Sequence, residues 1–279
     1  MKASEFRRRF TRSRSAIIGS IILLLLFVLA GSSSFLFVDD PLAMVSRPFA
    51  WPGEEEGFPL GTDMMGRDIA AGIFYGARIS LLIGFSATII SVALGVVIGA
   101  VAGYSGGATD DVLMRVTELF QTLPAFILAI VFVTILQPSI TSIIIAIGVT
   151  SWPTIARLVR AEAIRVRGAE YVQNATLIGM GNLRIIAVHI VPNAITPVIV
   201  ASSILVATAI LTEAGLAFLG LGDPNVATWG GMIGSGREVL RSAWYMTAIP
   251  GVAIVIAVLG FNLLGDGLNE VLDPRAVQP

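Results

Sequence analysis

Long apolar runs without charge alternate along this chain with short polar stretches. Six runs can be marked, at 16–38, 79–103, 112–136, 140–156, 194–220 and 244–264. Most reach the ~20 residues a helix needs to cross ~30 Å of hydrocarbon. The fourth is the shortest and has room to extend into its flanks. The pattern predicts an all-α, polytopic membrane protein with six transmembrane helices. It divides into an N-terminal tail at 1–15 and a transmembrane domain at 16–279, interrupted by a polar loop at 157–193. The first run follows a basic stretch, as a secretory signal would, but it is long for a signal core and reads as a retained span.

Composition narrows what such a bundle can do. Of 279 residues, 55% are hydrophobic and 13% charged, against about 25% charged in a soluble domain. With no cysteine, disulfide frameworks, thiolate metal sites and cysteine catalysis are excluded. The single histidine, His189, cannot by itself build a zinc or haem site and has no carboxylate at helical spacing for a catalytic triad. Lys2 is the only lysine, so a phosphate loop of the form G-x-x-x-x-G-K-[ST] is impossible. The chain is therefore read as a non-enzyme, with no catalytic, cofactor-binding or metal-binding residues. Any pumping must draw its energy from an ion gradient or from another subunit.

Charge placement predicts orientation, because basic residues concentrate on the cytoplasmic side. With the N-terminus inside, the inner pieces hold Lys2, Arg7, Arg8, Arg9, Arg12, Arg14, Arg115, Arg157, Arg160, Arg165, Arg167, Arg184 and Arg275, thirteen of eighteen basic residues. Arg47, Arg67, Arg78, Arg237 and Arg241 fall outside, and the first outer loop is acidic through Asp39, Asp40, Glu54, Glu55 and Glu56. Both termini and the 157–193 loop are expected in the cytoplasm.

Helices in lipid associate through close backbone contact and interhelical hydrogen bonds. Ser91, Gly95, Gly99 and Gly103 recur every four residues along the second span, which reads as a packing face. Pro124 and Pro250 are each expected to bend their helix and leave a carbonyl free. Glu118 follows Arg115 by three positions, the spacing of an intrahelical pair. Glu213, late in the fifth span, lies within reach of Arg237 or Arg241 on this reading; a proton relay is the sharper alternative. In the outer loops, Thr62 or Asp63 is expected to cap a short helix near Met64. Trp229 and Trp244 suit the membrane interface. Six helices without an internal repeat are few to enclose an alternating-access cavity, so a second, similar chain is the economical partner.

Between 157 and 193 the pattern changes. Arginines lead, Tyr171, Ala175 and Ile178 follow at helical spacing, and Gly179 and Gly181 precede an amphipathic run ending at Pro192. This reads as a short helix, a glycine turn and a second helix near the membrane surface. Ala175 and Gly179, four residues apart, would let a partner approach the backbone. The segment reads equally as an interfacial helix resting on lipid headgroups.

The stretch resembles the cytoplasmic loop of ABC importer permeases, whose pattern is E-A-A, three residues, Gly, then an apolar residue and Pro. Gln173, Asn174 and Ala175 stand at the E-A-A positions, and Gly179, Ile190 and Pro192 match; Gln173 and Asn174 depart from it. "PLGTDMMGRDIAAGIFYGARISL", "GYSGGATDDVLMR", "AILTEAGLAFLGLG" and "FNLLGDGLNEVLDPR" are similar to the second permease subunit of dipeptide, oligopeptide and nickel importers. The resemblance implies a permease subunit forming half of the translocation pathway for peptides or a similar small solute. Glu170, Tyr171, Gln173, Asn174, Ala175, Gly179, Ile190 and Pro192 would then form the ATPase-coupling loop. It further implies a second homologous permease, two cytoplasmic ABC ATPase subunits that bind ATP and magnesium, and an extracytoplasmic solute-binding protein. Besides these partners there is membrane lipid, and no nucleic acid. The location implied is the bacterial or archaeal cytoplasmic (inner) membrane. The competing reading is an ion-driven secondary transporter subunit, which would need a midplane ionisable site or a discontinuous helix.

Overall fold

The computed structural model describes residues 3–272; Lys2 and Arg275, counted in the charge asymmetry, lie outside the described residues. Among these the regular elements are all helices. A short helix α1 (Ala3–Phe10) leads into α2 (Arg14–Leu36), whose N-terminus is capped by the Ser13 hydroxyl accepting from the Ala16 amide. The long α3 (Ile69–Ser105) is followed by α4 (Gly107–Thr122), α5 (Ala125–Leu136) and α6 (Ile140–Arg167). Then come α7 (Glu170–Leu177) and α8 (Asn182–Ile185), and one π-helical turn (Ile186–Ile190) leads into α9 (Val191–Phe218). A short α10 (Trp229–Gly236) precedes the last helix, α11 (Tyr245–Leu272).

Five of these helices are long and apolar enough to cross a membrane, and a sixth span is supplied if α4 and α5 are taken together. Side-chain contacts place the two ends of that pair at opposite ends of the bundle. Asp110, early in α4, receives two 2.6 Å hydrogen bonds from Arg160 near the end of α6. Just after α5, the Ile140 amide donates to Asp223 in the loop that follows α9. The pair therefore crosses, broken by 85° at Leu123–Pro124. The described chain begins and ends at the same end of the bundle, where Ser13 donates to Glu270 and Arg9 to the Val271 carbonyl.

Several boundaries differ from those read off the sequence. The second span begins at Ile69 rather than 79, because Asp68 caps the helix by accepting from the Ala70 amide. At 37 residues and 1.5 Å per residue it is about 55 Å long, well beyond ~30 Å of hydrocarbon. Neither Thr62 nor Asp63 starts a helix. Asp63 instead accepts from the amides of Met65 and Arg67 in a tight turn. The fourth helix continues through Pro153 to Arg167, and the fifth span runs back to Asn182. The loop expected at 157–193 thus shrinks to a segment centred on α7, and its second helix is the start of a transmembrane helix, not a separate surface helix. Pro124 does break its span; α11, in contrast, runs unbroken past Pro250.

Small residues set the main helix contact. The Ser91, Gly95, Gly99 and Gly103 face of α3 lies on α6, and the Ser91 hydroxyl donates to the Gly148 carbonyl at 2.9 Å. A Cβ on Gly95 would stand 2.6 Å from that of Ile155, and one on Gly103 2.6 Å from that of Ala163. At the opposite end of the bundle, α10 is set between helices. The Trp229 indole, fully buried and not an interface anchor, donates to the Ile73 carbonyl at 3.0 Å. Trp244 is 55% exposed. Glu213 is fully buried beneath α10, beside the hydroxyls of Ser80 and Thr228 but without a well-formed hydrogen bond. It does not meet Arg237, whose guanidinium donates to the Phe218 carbonyl and covers the Phe218 ring; among the described residues no ion pair joins Glu213 to Arg241 either. Burial under α10 separates the carboxyl from both arginines. Arg115 and Glu118 do pair, at 3.1 Å, on an exposed face.

Candidate functional site

The segment that carries the coupling-loop pattern forms a bracket at one end of the bundle. α6 ends at Gly168, and α7 turns off it with Ala169 as its N-cap. One face of α7 is buried: Val172 is 1% and Ala175 6% exposed. Val172 belongs to a cluster with Tyr104 of α3, Val159 and Val166 of α6, and Ile185 and Ile190 on the approach to α9. Tyr104 also donates its hydroxyl to the Asn182 side chain at 3.2 Å. The short helix is therefore mounted on three long ones. An eight-residue helix would be marginal alone; this one is held by its buried face.

The turn after α7 explains its glycine. The Met180 amide donates to the Ala175 carbonyl and the Gly179 amide to the Thr176 carbonyl, both at 3.0 Å. This is the paired pattern that ends a helix through a left-handed residue, and Gly179 has φ +80°. No atom lies within 4 Å of the place a Cβ would take. Glycine is needed here for its backbone angle, and the space around it is open.

The outward face is apolar at its tip. Leu177 is 83% exposed, Ile178 80% and Leu183 81%. Behind the tip, Tyr171 is half-exposed and its ring lies 5.7 Å from that of His189, tilted by 59°, a packing contact as expected of that histidine. Gln173 is exposed and donates to the Gly168 carbonyl at 3.3 Å, a brace within the turn. Glu170 and Asn174 are exposed as well. Ala175, in contrast, faces the chain's own core, so the close approach expected between Ala175 and Gly179 is not open to a partner. Ile190 is fully buried in the same cluster, while Pro192 is exposed in the first turn of α9. The pattern thus mixes residues that mount the bracket with residues that it displays. Sequence reading missed Leu177 and Leu183; the available signal was their apolar type within a polar loop. Beside the bracket, Asp110, Arg167, Gln173, Thr176 and Asn182 line an open groove of about 910 Å³.

Comparisons with known proteins agree on what this architecture is. Residues 95–278 match the family described as "Binding-protein-dependent transport system inner membrane component". A di/tripeptide transport system permease of Pseudomonas aeruginosa is 36% identical over 97% of this chain and 91% of its own length. A putative peptide transport system permease of Brucella suis is 42% identical over 96% of this chain and 90% of its own. The oligopeptide transport permease of Bacillus subtilis is 35% identical, covering 96% and 88%. Among solved structures, an inward-facing methionine ABC transporter superposes with a TM-score of 0.59, covering 75% of this chain and 97% of that one at 18% identity. An amino acid ABC transporter gives 0.55 over 71% and 92%, also at 18%. At that identity these two show the fold alone. With the family matched over most of the chain and relatives aligned nearly end to end, the chain belongs to the binding-protein-dependent transport family, as a multi-pass, inner-membrane permease subunit of an ABC importer.

Proposed function

We propose that this chain forms one half of the translocation pathway of a peptide importer and takes its power stroke through α7. The observation that carries this reading is the bracket: an apolar tip, Leu177 and Ile178 at the end of α7 with Leu183 on α8, whose buried side shares a core with α3, α6 and α9. A large exposed apolar tip at a polar end of a membrane protein calls for a partner surface. Displacement of that tip would move α6 and α9 together, because Val172 and Ile185 share one core with Val159 of α6 and Ala194 of α9. The partner is a cytoplasmic ATPase subunit, one of two, which together bind ATP and magnesium. A second homologous permease completes the pathway. The cargo class follows from the peptide permeases to which the chain is similar. The bracket end is cytoplasmic, as the basic residues favour, and the outer loops at the other end, the first of them acidic, receive the loaded binding protein.

Gly179→Trp tests this reading. A side chain at φ +80° costs ~1–2 kcal/mol of left-handed strain, and the indole then projects from the docking tip. Insertion and pairing with the second permease should survive, while ATPase co-purification and uptake are lost. Gln173→Ala, which removes only a long bond to Gly168, should be mild. Normal ATPase association and uptake in Gly179→Trp would return α7 to a helix resting on lipid headgroups, where tryptophan is welcome.

A further inference from the structure

The broken third span faces an unusual stripe of α6. Thr150, Pro153, Thr154 and Arg157 are spaced three and four apart, so they share one face of that helix. Opposite them the 85° break exposes Gln121, Leu123 and Pro124. Together these residues line a cavity of about 360 Å³, within the range of about 300–1,000 Å³ usual for small-molecule sites. Phe120 packs edge-on against Trp152 at 5.4 Å and holds the end of α4 on α6, keeping one wall in place.

One charged side chain lines this cavity, Arg157. A second cavity, nearer the α7 end, shares Gln121 and Arg157 with it, and its other arginines are occupied. Arg160 is held bidentately by Asp110 and further attracted by Asp111, and Arg115 pairs with Glu118. Among the described residues no carboxylate pairs with Arg157, and neither the Gln121 amide nor the Thr154 hydroxyl has a hydrogen bond. Arg157 of α6 is exposed across from the broken span, and Gln121 and Thr154 beside it are exposed as well. A charged and polar face opposite a discontinuous helix is an arrangement that suits a solute path through a membrane protein.

We propose that this cleft is a subsite for the carboxylate of the transported peptide, with Arg157 as its anion-binding group. The inference rests on the peptide-import reading. A guanidinium presents a planar fork that matches a carboxylate bidentately; the Gln121 amide and Thr154 hydroxyl supply further donors. The walls at Phe120 and Leu123 are apolar and undirected, so the subsite reads the backbone terminus and tolerates varied side chains.

The test uses the absence of native cysteine in this chain. Thr154→Cys is placed in the full importer with cysteine-free partners, and its reaction rates with sulfonate-bearing and trimethylammonium-bearing methanethiosulfonates are compared. The anionic reagent should react faster, and adding Arg157→Gln should lower the anionic-to-cationic rate ratio about tenfold, the low end of electrostatic focusing in a cleft. In proteoliposomes with Thr154 intact, Arg157→Gln should keep ATP hydrolysis stimulated by loaded binding protein. It should slow uptake of a free-acid tripeptide by roughly tenfold or more, the loss of a charge-assisted bond, with Arg157→Lys between the two. A ratio indifferent to Arg157, as a resident lipid phosphate would give, overturns the subsite. So does a thiol in Thr154→Cys that fails to react with either reagent, or uptake that is unchanged in Arg157→Gln. Failure of the parent complex to import any peptide would remove the peptide-import reading itself, whereas import with an indifferent ratio removes the subsite alone.

Discussion

Gly99→Val probes the contact that organises the bundle. Gly99 lies at the centre of the α3 face that meets α6, between Gly95 and Gly103. A Cβ there would collide with the Ala156 carbonyl oxygen, stand 2.9 Å from the Val159 Cβ and lie 3.0 Å from the Ala156 carbonyl carbon. Carbon atoms pack at about 3.5–4.0 Å, so the helices must part by close to an ångström. Two of those three neighbours are backbone, which has no rotamer to yield. Parting the helices also loosens the contacts at Gly95 and Gly103 and stretches the 2.9 Å bond from Ser91 to Gly148. Overpacking costs typically ~1–3 kcal/mol, and the immobile neighbours place Gly99→Val near ~3 kcal/mol on that scale. The assay is the temperature at which half of the detergent-purified subunit leaves the monodisperse size-exclusion peak. The control is Gly251→Ala in α11, where no atom lies within 4 Å of the new Cβ and a helix-interior alanine gains about 0.5–1 kcal/mol. Gly99→Val should fall well below the parent, and Gly251→Ala should equal or exceed it. Equal midpoints for the two variants would refute the close-contact argument.

Two further outcomes test sidedness and the acidic loop. Single cysteines at Glu55 and Ser235 should react with an impermeant reagent in intact cells while one at Arg165 should not, and labelling at Arg165 alone would invert the topology. Glu54 accepts from the Trp51 amide and pairs with Arg47 at 2.6 Å, which holds its carboxyl below the ordinary glutamate value. A depressed carboxylate contributes order above its ordinary value, near pH 4.3 in a peptide, about where that order begins to fade as pH falls. Protease nicking within 47–58 should therefore rise on acidification in the parent. Glu54→Gln should be nicked at a rate much less dependent on pH, the effect being modest because both groups are exposed.

Hydrophobic pattern alone determined the class of this protein. Uncharged runs of helical length have no stable solution but to cross a bilayer, since lipid satisfies no backbone group and each helix satisfies its own. The same local logic made Pro124 a candidate break, although the missing amide hydrogen is tolerated at Pro153 and Pro250 inside continuous helices. It also made Gly179 a turn, because φ +80° is costly for other residues. Helix ends were less legible. Arg157, Arg160 and Arg165 lowered the apolar signal and so appeared to end the fourth span. The helix runs on because Val159, Ala163 and Val166 pack against neighbours far away in the chain. Tertiary structure alone decided which face of α7 is buried, turning Ala175 inward and leaving Leu177 and Leu183 in the open. It also buried the Trp229 indole of α10 against α3 and lodged Glu213 beneath α10, out of reach of the roles that their types suggested. Arg157 gained its setting the same way: nothing within its own helix reveals that the break at Pro124 lies across from it. Spacing along a helix is a local property, but the company a side chain keeps is set by elements that the chain brings together from a distance.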